Sequence, residues 1–277
     1  MKEKILITVK TYPTLSREYA ELVCTAGVEE SGKWRRVYPV QFRQLIDEQK
    51  YRKYQWIEAD LEKSTNDTRP ESYKIHGANI NTLGQPLTTV NKWLERREAF
   101  LDKVRVYEDM SELIQAAHNN TLSLAAFSPA KWLRFTHEEV GREWDARKLA
   151  ILEEKKKQLN FFKDDATVEK ELEVVKKLPY KFSYQYEDVE KRTSKLMIED
   201  WEIGALYWNC LKAGRNDEKE AIHKVKTKYW DDFIQSGRYS PILILGTTLE
   251  HHNKKAPNPF VIVGVAPFPK DSRQKLF

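Results

Sequence analysis

Basic and aromatic side chains interleave at three places in this chain: Lys33-Trp34-Arg35-Arg36-Val37-Tyr38, Arg52-Lys53-Tyr54-Gln55-Trp56 and Lys131-Trp132-Leu133-Arg134-Phe135. Cations neutralise phosphates and aromatic faces receive unstacked bases, so this mixture is what a nucleic-acid surface requires. On a strand, Trp34, Arg36 and Tyr38 share one face and form a stacking platform. The competing reading places the aromatics in a core and leaves the cations to water. A second group lies at 246–259, where Thr247, Thr248, His251, His252, Asn253, Lys254 and Lys255 offer donors to a phosphate or a base edge. A solvated polar loop tip explains the same residues without a ligand. The nucleic-acid candidates are therefore Trp34, Arg35, Arg36, Tyr38, Arg52, Lys53, His251, His252, Lys254 and Lys255.

Carboxylates give a different chemistry. Glu199-Asp200-Trp201-Glu202 stands at an expected strand-to-helix junction and could hold Mg²⁺ or act as acid and base. Acidic residues at a helix N-terminus are equally explained by capping and by the helix dipole. Glu58-x-Asp60-x-Glu62-Lys63 ends an expected strand, but Glu62 and Lys63 are adjacent rather than spaced as a carboxylate-x-Lys pair. The catalytic candidates are Asp60, Asp200, Glu202 and His251. They define a second reading, a metal-dependent nuclease or other hydrolase acting on nucleic acid. Only that reading calls for Mg²⁺, and no other cofactor is expected. His251 and His252 point apart on an extended segment, so both cannot readily bind one ion, and no metal site is assigned.

The sequence has no glycine-rich phosphate cradle, no G-x-S-x-G and no H-E-x-x-H, which argues against nucleotide-fuelled and dinucleotide enzymes. Its two cysteines, Cys24 and Cys210, make neither a disulfide framework nor a C-x-x-C pair. The residues after Met1 lead into only a short apolar run, Ile5 to Val9, and no signal-peptide pattern follows. No apolar stretch approaches the ~20 residues of a membrane span. A reduced, cytoplasmic setting without membrane contact is the expectation.

The net charge is +5 over 277 residues, and its placement is more informative than its size. Residues 1–50 hold nine basic and seven acidic side chains; residues 251–277 hold five and one. The excess thus falls at the two ends, with the basic–aromatic strand and the His/Lys segment.

The elements that must carry these groups follow from periodicity. Short β-branched or alternating runs predict strands at 5–9, 19–28, 34–40 and 54–61, with a hairpin turn at 29–33 and a short helix at 41–47. Helical spacing begins near residue 88. Asp109-x-x-Glu112, Thr136-x-x-Glu139 and Asp217-x-x-Glu220 read as helix starts. The second of these opens a charged αα-hairpin over 138–177, whose balanced charge fits a solvated insert. Strands are expected at 121–127, 131–135, 182–186, 195–198, 242–245 and 260–265, with a helix from Trp201 to Lys212 capped by Asp200.

The fold class is α+β, with a β-rich unit at 1–85, barrel-like or an open sheet, a helical middle at 86–178 and an α+β unit at 179–277. The leading expectation is a nucleic-acid-binding protein, with DNA and RNA equally open. A protein-interaction scaffold using the 138–177 hairpin is the third reading.

Overall fold

The computed structural model describes residues 2–15, 22–40, 42, 45, 47–159 and 174–270. Five strands make a closed barrel: β1 (Lys2–Lys10), β2 (Val23–Val28), β3 (Trp34–Val40), β4 (Trp56–Lys63) and β5 (Ser72–Leu83). Their order around the barrel is β1-β2-β3-β5-β4. Every pairing is antiparallel except β3 with β5, which is parallel. β4 alternates between the two sides of the barrel wall: Ile57, Ala59 and Leu61 are buried, whereas Trp56, Glu58 and Asp60 are half-buried. Ile5, Ile7, Val23, Val37 and Ile80 join the first three inside the barrel. At Gly27 a Cβ would lie 2.1 Å from the Leu6 carbonyl oxygen, so β1 and β2 approach more closely there than any side chain allows.

A four-stranded sheet, β12-β11-β7-β6, lies beside the barrel. It comprises β6 (Val106–Tyr107), β7 (Leu124–Phe127), β11 (Tyr239–Thr247) and β12 (Phe260–Pro269). Both faces are buried, so its strands are continuous apolar runs. Leu124, Ala126, Ile242 and Ile244 pack against Leu6, Ala26 and Val28 on the outside of the barrel. The alternate residues Ala125, Phe127, Leu243 and Leu245 face a second core. That core includes a three-stranded sheet of β8 (Lys131–Glu139), β9 (Tyr180–Glu187) and β10 (Thr193–Met197). It also includes the helices α2 (Met110–His118), α4 (Trp201–Ala213) and α5 (Glu218–Lys226), of which α4 and α5 pair as neighbours. Other α-helices among the described residues are α1 (Val90–Arg96), α3 (Ala146–Leu159) and a five-residue α6 (Leu249–Asn253). Asp109, Asp200 and Asp217 cap α2, α4 and α5 as their spacing predicts. Among the described residues, no helix is long and apolar enough to cross a membrane.

The structure bears out the α+β class and departs from the expected elements in four places. Thr136-x-x-Glu139 is not a capping box: Thr136 pairs with Ser183 and Glu139 with Tyr180 inside β8. The helix starts ten residues after Thr136, at Ala146, where the Asp145 carboxylate accepts from the Arg147 and Lys148 amides at 2.9 and 3.2 Å. Of the second hairpin helix, expected at 168–177, residues 168–173 lie outside the described residues, and 174–177 are not helical. Instead the Val175 carbonyl accepts from Trp144 Nε1 at 2.7 Å, and the Lys176 carbonyl accepts from the Tyr12 hydroxyl at 2.8 Å. β5 has no counterpart among the expected strands, because its sequence is polar and carries Gly77, Asn79 and Asn81. It forms because it pairs on both sides, with β3 and β4. Finally, His251 and His252 lie on α6, whose cap is the Thr248 hydroxyl, rather than on an extended segment. In the expected helix at 41–47, residues 41, 43, 44 and 46 lie outside the described residues, as do 16–21 of the region before β2.

Candidate functional site

A cavity of about 460 Å³ lies between the barrel and the four-stranded sheet. From the barrel it is lined by Val9 and Thr11 of β1 and its end, Cys24 and Ala26 of β2, and Arg36, Tyr38 and Pro39 of β3. The β1–β2 connection adds Thr14 and Leu22, the β4–β5 loop adds Ser64, Asn66, Asp67 and Arg69, and Lys74 enters from β5. The opposite wall is Leu124, Val261 and Val263, with Glu199, Thr247, Thr248 and Leu249 at its edge. Aliphatic side chains thus face a polar side that holds Arg36, Asp67, Arg69, Lys74 and Glu199, and that pairing of apolar wall with polar groups is found in small-ligand pockets.

Two arginines define its polar side. Arg36 is buried, and its guanidinium donates to Ser123 Oγ at 2.6 Å, to the Ser123 carbonyl at 3.0 Å and to Ser72 Oγ at 3.3 Å. Among the described residues no carboxylate contacts it. The Glu71 carboxylate is linked to that guanidinium through Ser123, whose hydroxyl and amide donate to it at 2.5 and 3.1 Å. Burial, with Arg69 nearby, lowers the Arg36 pKa to about 10. Arg69 is paired: its guanidinium grips Asp67 at 2.8 and 2.5 Å and also donates to the Thr247 carbonyl, 178 positions away. For Asp67, burial acts upward, but the Arg69 hydrogen bonds and charge outweigh it and hold the carboxyl at about 2. Burial pushes both the Cys24 thiol and the Glu199 carboxyl above their ordinary values. The Thr247 hydroxyl is buried without a hydrogen-bond partner among the described residues.

A second polar cluster crosses the same contact between barrel and C-terminal region. Lys53 Nζ donates to Asp200 at 2.9 Å and to Glu202 at 2.9 Å, with Asp200 fully buried. Asp200 also accepts from the Glu202 and Val265 amides at 3.1 Å each. Burial works against the Lys53 charge, but the two carboxylates outweigh it and hold the ammonium above its ordinary value. Burial likewise raises Glu202, and Lys53 overcomes it, so that carboxyl lies below its usual range. Nearby, Lys10 sits over the Phe42 ring at 3.4 Å and the Trp201 ring at 4.6 Å. Burial and Lys53 lower its pKa to about 8.

These placements sort the residues singled out by sequence. Arg36 and Tyr38 of β3 meet Thr247 and Thr248 at the cavity, so the two candidate regions converge. Trp34 does not join them: it packs edge-on against Phe100 at 5.7 Å in the contact with the C-terminal sheet. Arg35 pairs with Glu3 at 2.6 Å and with Glu29, and stacks on Tyr73. Arg52 is exposed and Lys53 is committed to Asp200 and Glu202. His251 and Lys255 are exposed, and Lys254 pairs with Glu250 at 2.6 Å. His252 is buried, with Nε2 on Asn120 Oδ1 at 2.9 Å, and its pKa is lowered by burial. Lys131 and Arg134 are exposed on β8, while Trp132 packs on Tyr184 at 5.0 Å. Asp200 and Glu202 are brought together on Lys53, but Asp60 does not join them: it is paired with Lys2 at the start of β1, whereas Asp200 bridges Thr11 just past its end. At ~3.4 Å per residue that is roughly 30 Å of strand. Among the described residues, no three His, Cys, Asp or Glu side chains are grouped to hold a metal ion.

Arg69, Asp67, Cys24 and Lys74 are cavity residues that the sequence reading did not select. Arg69-Pro70 reads only as a turn, and nothing in the spacing links it to Thr247.

Residues 1–102 match the family described as Domain of unknown function (DUF8758), and residues 106–277 match Domain of unknown function (DUF8757). No curated protein matches the chain.

Proposed function

The chain belongs to the DUF8757 family, and from its geometry we propose that it binds single-stranded nucleic acid at the cavity between its barrel and its C-terminal sheet. The observation that carries this reading is the convergence of Arg36 and Tyr38 with Thr247 and Thr248 on one cavity. A buried guanidinium without a carboxylate supplies charge for a phosphate, and the half-exposed Tyr38 ring supplies a face for a base. The barrel topology supports it. The order β1-β2-β3-β5-β4 with β3 parallel to β5 is that of an OB-fold barrel. Such barrels bind oligonucleotides and oligosaccharides on the face of strands 2 and 3, between the β1–β2 and β4–β5 loops. Here those strands line the cavity together with Thr14 and Leu22 of the first connection and Ser64, Asn66, Asp67 and Arg69 of the second. Topology alone does not assign a function, and the cations and the aromatic ring at that face are what favour nucleic acid.

The test is fluorescence anisotropy with labelled single-stranded DNA and RNA oligonucleotides of ten residues, and the DNA duplex of the same sequence. Binding of at least one single strand, tighter than duplex and weakened about tenfold between 50 and 200 mM salt, is the expected outcome. Absence of binding at the lower salt, or an affinity indifferent to salt, overturns the proposal.

A further inference from the structure

We propose that the cavity accepts one unstacked nucleotide of the bound strand, its base against the aliphatic wall and its phosphate toward Arg36; this rests on the nucleic-acid reading above. The argument begins with what covers the barrel. Leu6, Ala26 and Val28 would belong to an open binding face, but they are packed under Leu124, Ala126 and Ile244 of the C-terminal sheet. A run of stacked bases therefore has no continuous platform on β1 and β2. What the covering sheet leaves is a partly open cavity of about 460 Å³, within the ~300–1,000 Å³ of small-ligand pockets and suited to one nucleotide rather than several.

The lining is divided as such a unit is divided. Leu22, Leu249, Val261 and Val263 form apolar walls for a base withdrawn from its stack. Arg36 and Lys74 supply positive charge, and no ion-pair partner holds either among the described residues. Glu199 adds a carboxylate that can accept from a base edge. Both halves of the chain contribute walls, so an occupant would touch both.

Cys24 lines the cavity and reports its occupancy. Cys210, half-buried on α4, is replaced in a C210S protein so that Cys24 is the only thiol. Its modification by a small methylthiolating reagent is timed at mildly alkaline pH, alone and with saturating oligonucleotide or 5′-mononucleotides, with oligonucleotide affinity measured on the same protein. The proposal expects oligonucleotide to slow labelling at least tenfold, and millimolar mononucleotide to slow it and to compete with oligonucleotide. Oligonucleotide binding with unchanged labelling overturns the pocket and leaves the nucleic-acid reading standing. No oligonucleotide binding at all overturns that reading and the pocket with it. A V263F variant, which fills the cavity, is expected to bind at least tenfold more weakly while keeping its circular dichroism spectrum. Unchanged affinity in that folded variant also overturns the pocket.

Discussion

Two cations are buried where the barrel meets the C-terminal region, and they are treated in opposite ways. Lys53 is closed in by Asp200 and Glu202, each 2.9 Å away, and Asp200 is fixed further by two backbone amides. Arg36 is held by two serines and a carbonyl, with its nearest acid, Glu71, one hydroxyl removed. The first cluster spends its charge internally, as a cross-link between the two parts of the chain. The second keeps, at the wall of a cavity, a charge that no carboxylate contacts directly among the described residues. Charge already neutralised at contact distance has little to offer a ligand, whereas a guanidinium held by neutral partners retains its field. The contrast separates structure from site better than residue type does, since both cations belong to basic–aromatic runs of the same appearance.

The largest effect that can test this contrast is on the Lys53 side. Asp200→Ala leaves Lys53 buried with one weaker partner and removes the cap of α4. The expected cost is about 3–5 kcal/mol, read from the denaturation midpoint. Asp200→Asn with Lys53→Met removes both charges and should recover much of that loss. If Asp200→Ala costs less than about 1 kcal/mol, the cluster is not the cross-link described, and its carboxylates are open to another role.

A smaller effect separates the cavity's own ion pair from its free cation. Asp67 is held at about 2 by Arg69, against an ordinary 3.8. A carboxyl depressed on folding stabilises the folded state fully above its unfolded value, and the contribution is lost as pH falls through the folded one. Asp67→Asn should therefore cost of the order of 2 kcal/mol above about pH 5, with the gap to the parent closing as pH falls toward 2. Denaturant titrations at a series of pH values measure the gap directly. A gap that is constant with pH would mean that Arg69 does not hold Asp67 in the folded chain.

How much of this arrangement the sequence carried can be seen residue by residue. The turn at 29–33 placed β3, period-two alternation placed β4, and three Asp caps placed their helices, because these are local effects written within a few positions. β5 escaped, since its polar run is a strand only by virtue of two neighbours. Thr136 and Glu139 had the spacing of a cap and became strand, because pairing with β9 outweighs a local signal. The cavity was half legible. Arg36, Tyr38 and Thr247 stood out by type, but Arg69, Asp67 and Cys24 become cavity residues only when segments far apart in sequence close around them. Lys53 looked like Arg36 because the carboxylates that distinguish them lie 147 and 149 positions away.

The smallest expected change in stability carries the sharpest form of the comparison. Arg36→Met removes a buried charge whose partners are neutral, so Ser72 and Ser123 lose donors while Ser123 keeps its bond to Glu71. The cost should be about 1 kcal/mol, well below that of Asp200→Ala, because no ion is left buried against an empty place. Binding should respond in the opposite sense. Oligonucleotide affinity should fall about tenfold or more, with the logarithmic salt slope reduced by about one, as for the loss of a single phosphate contact. Lys53→Met, by contrast, should lower stability and leave the salt slope where it was, since Lys53 has no charge to spare. If the two variants exchange these behaviours, with Arg36 governing stability and Lys53 the salt dependence, then the closed cluster is the binding site and the cavity is packing. The paired measurement decides between them because both cations sit at one interface, and only the company each keeps differs.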